Sequence, residues 1–181
     1  VMPSTPYDAK GLLKAAIRDD NPVMFIEHKM LYGQKGPVPE EEYVIPFGVA
    51  DIKREGKDVT LVTYSRMVFR ALEAAEILAK EGISMEIIDP RTLIPLDLET
   101  ITTSVKKTGR LLAVCQAPRT GCFAEHIAYR VQKEVFKSLK APVEVIAAHD
   151  VPPPMAAPLG MENLPDAKRI LTNIEILNLN Y

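Results

Sequence analysis

Three short stretches of this chain gather residue types that do chemistry, each where an apolar run gives way to loop. In Ile87-Ile88-Asp89-Pro90-Arg91-Thr92-Leu93-Ile94-Pro95-Leu96-Asp97, a carboxylate and a guanidinium follow the apolar run, and a second proline and acid come after them. Polar groups past the carboxyl end of a buried strand are where open α/β sheets build binding edges. The same spacing also makes a well-capped strand-to-helix connection, and both readings stand. In Cys115-Gln116-Ala117-Pro118-Arg119-Thr120-Gly121-Cys122-Phe123, Arg119 and the free amides of a helix start suit an anionic ligand or a partner carboxylate. The alternative is a structural ion pair between Arg119 and Asp89 or Asp150. In Ala147-Ala148-His149-Asp150-Val151-Pro152-Pro153-Pro154, His149 ionises near neutrality and suits acid–base work, or it simply closes a strand.

The other histidines and the cysteines carry less. His126 stands one residue before an inward-facing helix position and reads as a surface or interface group. His28, between Glu27 and Lys29, follows a strand end and has no evident role. Cys115 and Cys122 have no nearby histidine pair, so no metal spacing and no disulfide scaffold is implied; buried free thiols in a reducing cytoplasm are expected. Dinucleotide turns, P-loops and nucleophile elbows are missing, as is a Gly-Asp-Gly with a downstream Asn.

These groups need elements to hold them. A helix is expected from Thr5 as cap, through Pro6, to about Asp19, with Leu12, Leu13, Ala16 and Ile17 inward. Val23-Met24-Phe25-Ile26 reads as a buried strand. Residues 30–47, with their glycines, prolines and Glu40-Glu41-Glu42, have linker composition. Then come an edge strand at Ala50–Glu55, a strand at Val59–Thr63, and a helix capped by Ser65 running from about Arg66 to Glu81. Ile83–Ile88 is a strand, Leu96–Val105 a short helix and Leu111–Val114 a strand. A long helix at Phe123–Leu139, a strand at Val143–Ile146, a stiff proline connector and a closing helix from Asp166 to about Leu177 complete the series. Alternation of uniformly apolar strands with helices predicts a mainly parallel sheet covered on both faces.

Composition narrows the classes. The chain has 181 residues, 47% hydrophobic and 25% charged, in the range of a globular domain with its own core. A net charge of −2 leaves no basic surplus for a phosphate backbone, so nucleic acid is not an expected partner. The apolar runs are strand-sized, so no membrane partner is expected either. The chain opens on Val1 without a signal-peptide core, and is expected to be a fragment of a longer protein.

Taken in order, a set of motifs is shared with one family. They are Asp8-Ala9-Lys10-Gly11-Leu12-Leu13, Asn21-Pro22-Val23, Glu27-His28-Lys29-Met30-Leu31-Tyr32, Val38-Pro39-Glu40 and Tyr43-Val44-Ile45-Pro46. Gly56-Lys57-Asp58-Val59-Thr60, Ile88–Asp97, Lys107-Thr108-Gly109-Arg110, Ala117-Pro118-Arg119-Thr120-Gly121 and Asp150-Val151-Pro152 follow. From Val1 to about Ile170 the chain resembles the beta subunit of the thiamine-diphosphate-dependent 2-oxo acid dehydrogenase component of the pyruvate, branched-chain and acetoin dehydrogenase complexes. The resemblance implies that residues 1–40 are the tail of a pyrimidine-binding domain with its linker, a helix–strand remnant. It implies that residues 47–181 form a transketolase-like C-terminal domain, a three-layer α/β/α sandwich with a mostly parallel sheet and one antiparallel edge strand.

The implied activity is oxidative decarboxylation of a 2-oxo acid with acyl transfer to lipoyl groups. Thiamine diphosphate and magnesium would belong to the full complex, held by parts this chain does not contain. Implied partners are an alpha subunit, a second beta subunit and the dihydrolipoyl acyltransferase core, in a cytoplasmic heterotetramer. This region would serve assembly, docking and the wall of the substrate channel, and would be inactive by itself. Asp89, Arg91, Arg119, Thr120 and Asp150 become channel or interface candidates, and His149 the one catalytic candidate. The chain departs from the family at Gln116, where an acid is usual, at Cys122, where a glycine is, and at His126, where a glutamate is. Alternatives are an acetoin dehydrogenase beta subunit, whose substrate is acetoin in place of a 2-oxo acid, a purely non-catalytic assembly and docking module that dimerises through an apolar face, and a transketolase or deoxyxylulose-phosphate synthase C-terminal domain. The last should show more basic residues for a sugar phosphate than Arg91 and Arg119.

Overall fold

The computed structural model of the chain describes residues 1–177. Five strands form one sheet: β1 (Asp51–Arg54), β2 (Val59–Val62), β3 (Met85–Asp89), β4 (Leu111–Pro118) and β5 (Glu144–Ala148), in spatial order β1-β3-β2-β4-β5. β2, β3, β4 and β5 run parallel, and β1 pairs antiparallel with β3 at the edge, with an irregularity between Ile52 and Arg54. Every residue of β2 and β3 is buried, as uniformly apolar central strands require of a sheet covered twice.

Successive residues feed opposite layers. Leu61, Ile87 and Val114 face α2 (Met67–Lys80) and α6 (Ala167–Ile176), packing on Ala71, Ala75, Leu78, Ile170 and Ile174. Val62, Ile88 and Leu111 face α3 (Leu98–Thr108) and α4 (Phe123–Val135), packing on Ile101, Val105, Ile127, Val131 and Val135. The expected three-layer sandwich is therefore present, antiparallel edge included. Asp97 caps α3 by accepting from the Thr100 amide, and Gly109 ends that helix at φ +76°, a left-handed conformation that a side chain disfavours.

The first helix, α1 (Pro6–Arg18), lies outside these layers with Thr5 as its cap, as expected. Its inward face is narrower than the periodicity implies: Asp8, Gly11 and Leu12 are buried, while Leu13 and Ile17 are exposed. Residues 39–45 wrap back over it. The Ile45 amide donates to the Gly11 carbonyl, Tyr43 stacks on Tyr7 at 4.6 Å, and Lys10 reaches the carbonyls of Pro39 and Glu41. Gly11 is required there, because a Cβ would stand 2.6 Å from Ile45 Cγ1.

Several expectations fail locally. Val23–Ile26 is extended but is not a strand, and Met24 and Ile26 are exposed. Its ladder-like bonds go to Val1: the Val1 amine donates to Met24 O, and Ile26 N donates to Val1 O. With no neighbouring strand beyond one residue, apolar composition cannot make a sheet. Ser65 does not cap α2: it sits at φ +54° with its hydroxyl buried and unpartnered, and Arg66 takes the cap position without a side-chain bond. β4 runs on to Pro118, and the long helix stops at Val135, passing into a 3-10 turn at Phe136–Ser138. Within the expected proline connector a short helix forms, α5 (Ala157–Asn163), with Pro158 in its first turn. The end of the expected closing helix reaches Leu177, and residues 178–181 lie outside the described part.

Candidate functional site

Parallel strands bring the ends of β2, β3, β4 and β5 to one edge, and all three chemistry-bearing loops of the sequence lie there. The edge is divided into three zones that do not act together. Asp89 ends β3 and Asp150 follows β5, with β2 and β4 between them. At strand spacings near 4.8 Å the two acids are about 14 Å apart.

At the β3 zone the chain's own start fills the edge. Met2 N donates to Arg91 O at 2.9 Å, and Ser4 Oγ donates to Asp89 at 2.5 Å. α1 presents Asp8 to the same spot, where Lys53 Nζ from β1 stands 2.8 Å from Asp8, 2.7 Å from Asp51 and 3.9 Å from Asp89. Arg91 sits at φ +58° and directs its guanidinium to Asp8 at 3.3 Å and to the carbonyls of Val49 and Ala50. Asp8, Asp89 and Arg91 are buried, and three carboxylates meet two cations. Burial alone would raise the Asp8 carboxyl, but hydrogen bonds from Lys53 and Thr5 and the charges of Lys53 and Arg91 hold it below its ordinary value. Burial dominates at Asp89 and pushes it up to about 6, against the Ser4 and Arg91 bonds and the Lys53 charge. Lys53 is raised because its carboxylate partners outweigh its burial. This zone is a lock between the N-terminal arm and the sheet. Asp89 and Arg91 are occupied in it, and neither faces an open cavity.

The middle zone holds Tyr64, Cys115 and Cys122, packed with Met2. Both cysteines are free and buried, as expected. Burial, with the neighbouring Cys122 thiol, pushes the Cys115 thiol up to about 12, and burial with the two thiols raises the Tyr64 hydroxyl. A Cys115 thiol so far from ionisation is a poor nucleophile and a poor metal ligand. Just outside them, His28 Nε2 stands 3.0 Å from Gln116 Oε1, while the Met30 amide donates to His28 Nδ1. With Nδ1 accepting, Nε2 carries the proton and donates to Gln116. Sequence reasoning missed this pair. No local pattern signals it, because the two residues stand 88 positions apart in the chain.

The β4–β5 zone is the exposed one. The Thr120 amide and hydroxyl donate to Asp150 at 2.9 and 2.8 Å, and these bonds hold the Asp150 carboxyl below its ordinary value. Arg119 N donates to Ala148 O, and His149 N donates to Asn163 Oδ1 from α5. The side chains of Arg119 and His149 are exposed. Thr120 supplies the two main hydrogen bonds to Asp150, and the Arg119 backbone and charge add to them, whereas Arg119, past the end of β4, is separated from Asp89 at the end of β3 by β2. His126 is also exposed, tilted against Phe123 at 5.1 Å. Arg119, Thr120, His149 and Asp150 thus share one rim that can meet a partner surface or an anion.

Among the described residues no group of three or more His, Cys, Asp or Glu is arranged to hold a metal ion, and no helix is long and apolar enough to cross a membrane. Thiamine diphosphate with magnesium does not fit what is here: the three carboxylates are already engaged by Lys53 and Arg91, and the edge beside them is filled by Met2 and Ser4.

The chain is 52% identical over 170 residues to the acetoin:2,6-dichlorophenolindophenol oxidoreductase subunit beta of Cupriavidus necator, covering 94% of this chain and 50% of that one. It is 50% identical over 151 residues to the pyruvate dehydrogenase E1 component subunit beta of Bacillus subtilis, 83% of this chain and 46% of that one. The chain spans about half the length of the curated relatives it matches. Among solved structures, a split gene transketolase in an inactive beta4 tetramer superposes with a TM-score of 0.74 at 25% identity, over 99% of this chain and 56% of that one. Residues 48–170 match the family described as transketolase, C-terminal domain, the stretch that contains the whole five-stranded sheet, and the chain belongs to that family.

Proposed function

We propose that this chain is the C-terminal half of the beta subunit of a thiamine-diphosphate-dependent 2-oxo acid dehydrogenase component. Residues 1–40 form its arm and residues 47–181 its assembly domain. The observation that carries the reading is the identity of 47–52% to β subunits named for acetoin, 2-oxoisovalerate and pyruvate, over 83–98% of this chain. Its partners in the working protein are an alpha subunit, a second beta subunit and an acyltransferase, in a cytoplasmic assembly. The cofactor supplies the carbanion chemistry on 2-oxo acids. What this chain supplies is positioning. The Asp8–Lys53–Asp89–Arg91 lock orients the arm on the sheet, and Arg119, Thr120, His149 and Asp150 line the exposed rim as channel or interface groups.

An acetoin substrate is the second reading, favoured by the 52% identity over 94% of the chain to the Cupriavidus necator protein. One assay addresses both. The chain is co-expressed with an alpha subunit and the preceding half of a beta subunit. Reduction of 2,6-dichlorophenolindophenol is then followed with pyruvate, 2-oxoisovalerate or acetoin. Turnover that requires this chain supports the reading, and the preferred substrate selects between its two forms. An assembled complex with no turnover on any of the three would overturn it.

A further inference from the structure

The outward side of α4 carries a second stripe that the core does not use. Ile127, Val131 and Val135 face inward, whereas Tyr129 and Lys133 of α4 lie on another side and are followed by Phe136 and Lys137 of the 3-10 turn and by Lys140 just past it. Tyr129 is 63% exposed and Phe136 is 68% exposed, two aromatic rings that flank one groove. Beside the stripe lie two adjoining hollows of about 380 and 670 Å³, which share Gln132 and Val143 as walls. Val145 of β5, the parallel edge strand, closes the smaller one. Lys133, Lys137 and Lys140 line this groove and are exposed, and none has a carboxylate within ion-pair distance among the described residues. Glu125, the one acid lining the groove, is turned to the Gly121 amide at 3.1 Å.

We propose that this groove docks an acidic segment of a protein partner, carboxylates over Lys133, Lys137 and Lys140 and an apolar side chain between Tyr129 and Phe136. Charge selects this occupant. A second copy meeting the groove through the same face would bring six unpaired ammonium groups together, and like charges facing each other at an interface repel and oppose association. Exposed aromatics flanked by cations instead match an acidic-apolar ligand, where the rings supply affinity and the lysines supply orientation and on-rate. The proposal goes beyond the dehydrogenase reading and does not rest on it, since binding is read on this chain alone and needs no turnover.

The probe is a fluorescein-labelled peptide of about 12 residues, with Glu or Asp at two of every three positions and Leu or Phe at the third, followed by anisotropy. Saturable binding is expected, weakened several-fold between roughly 50 and 300 mM NaCl. Lys133→Glu with Lys137→Glu is expected to weaken it about tenfold, and Phe136→Ser about fivefold. All three positions are exposed, so folding should be unaffected, and Lys80→Glu at the far end of α2 serves as the charge control with affinity within about twofold. Absence of saturable binding, or equal loss in the Lys80 variant, overturns the proposal. So does a dimer in light scattering that the same groove substitutions dissolve, because that assigns the face to a second copy.

Discussion

Replacing Lys53 with methionine tests the lock between arm and sheet. Among the described residues Lys53 is the only cation within ion-pair distance of all three carboxylates, at 2.8 Å from Asp8, 2.7 Å from Asp51 and 3.9 Å from Asp89. Methionine keeps most of the stem's volume and removes the charge. Breaking a buried ion pair from one side costs about 3–5 kcal/mol, because the surviving charge is left unpaired in a poorly solvated place. Two features place this case near the lower figure. Asp8 keeps Arg91 at 3.3 Å and the Thr5 hydroxyl at 2.6 Å, and Asp89 keeps the Ser4 hydroxyl and the Arg91 amide. A loss of about 3 kcal/mol should lower the midpoint of thermal unfolding by roughly 6–12 °C in a chain of this size. Urea melts at pH 7 measure it. Adding Asp89→Asn to the Lys53→Met background removes one of the uncompensated charges and should stabilise by more than the same change does in the parent at the same pH, because Lys53 no longer offsets the Asp89 charge, a coupling that a double-mutant cycle isolates. A loss under about 1 kcal/mol for Lys53→Met, or no greater gain from Asp89→Asn there than in the parent, would refute the idea that electrostatics hold the arm.

Asp89→Asn alone should change the pH dependence of stability. The folded carboxyl is raised to about 6 from 3.8, so its contribution is fully present below about pH 4 and is lost as pH rises through 6. The variant should therefore gain on the parent between pH 4 and 7, by up to about 3 kcal/mol, and urea melts at both ends should show a flatter profile. Asp8 acts in the opposite sense, since its lowered carboxyl contributes stability above its unfolded value that is lost in acid. Gly11→Ala should destabilise by about 1–3 kcal/mol, against the gain of about 1 kcal/mol expected of alanine in a helix, because the new Cβ meets Ile45 and Tyr43. Faster proteolysis within residues 39–45 would accompany it, and an unchanged melt would count against the packing. For His28, nitrogen NMR of the ring at neutral pH should find the proton on Nε2, and Gln116→Leu should cost about 0.5–1.5 kcal/mol. A ring protonated on Nδ1 would contradict the Met30 bond.

The elements and their layers were legible because their causes are local. A cap at Thr5, an acid at Asp97 where a helix begins, and the spacing of Ile127, Val131 and Val135 all act within one or two turns of chain. Reading failed where a local signal needed a distant partner. Val23–Ile26 has strand composition without strands to pair with, and Ser65 has a capping hydroxyl held in a left-handed backbone that turns it away from the task. Within the candidate site, the Thr120–Asp150 pair was within reach of sequence because both residues follow neighbouring strands.

Sequence alone determined the family, the parallel sheet and the edge at which the polar loops gather, since apolar periodicity and motif order carry that information. Only the tertiary structure decided what those loops do. It separated Asp89 and Arg91 from the Arg119–Asp150 rim by the width of two strands, and filled the first zone with Ser4 and Asp8, residues 85 and 83 positions away from their partners. No local pattern encodes such a contact. A buried carboxylate selects its cation by position in space, and that position exists only once the sheet and its arm have packed.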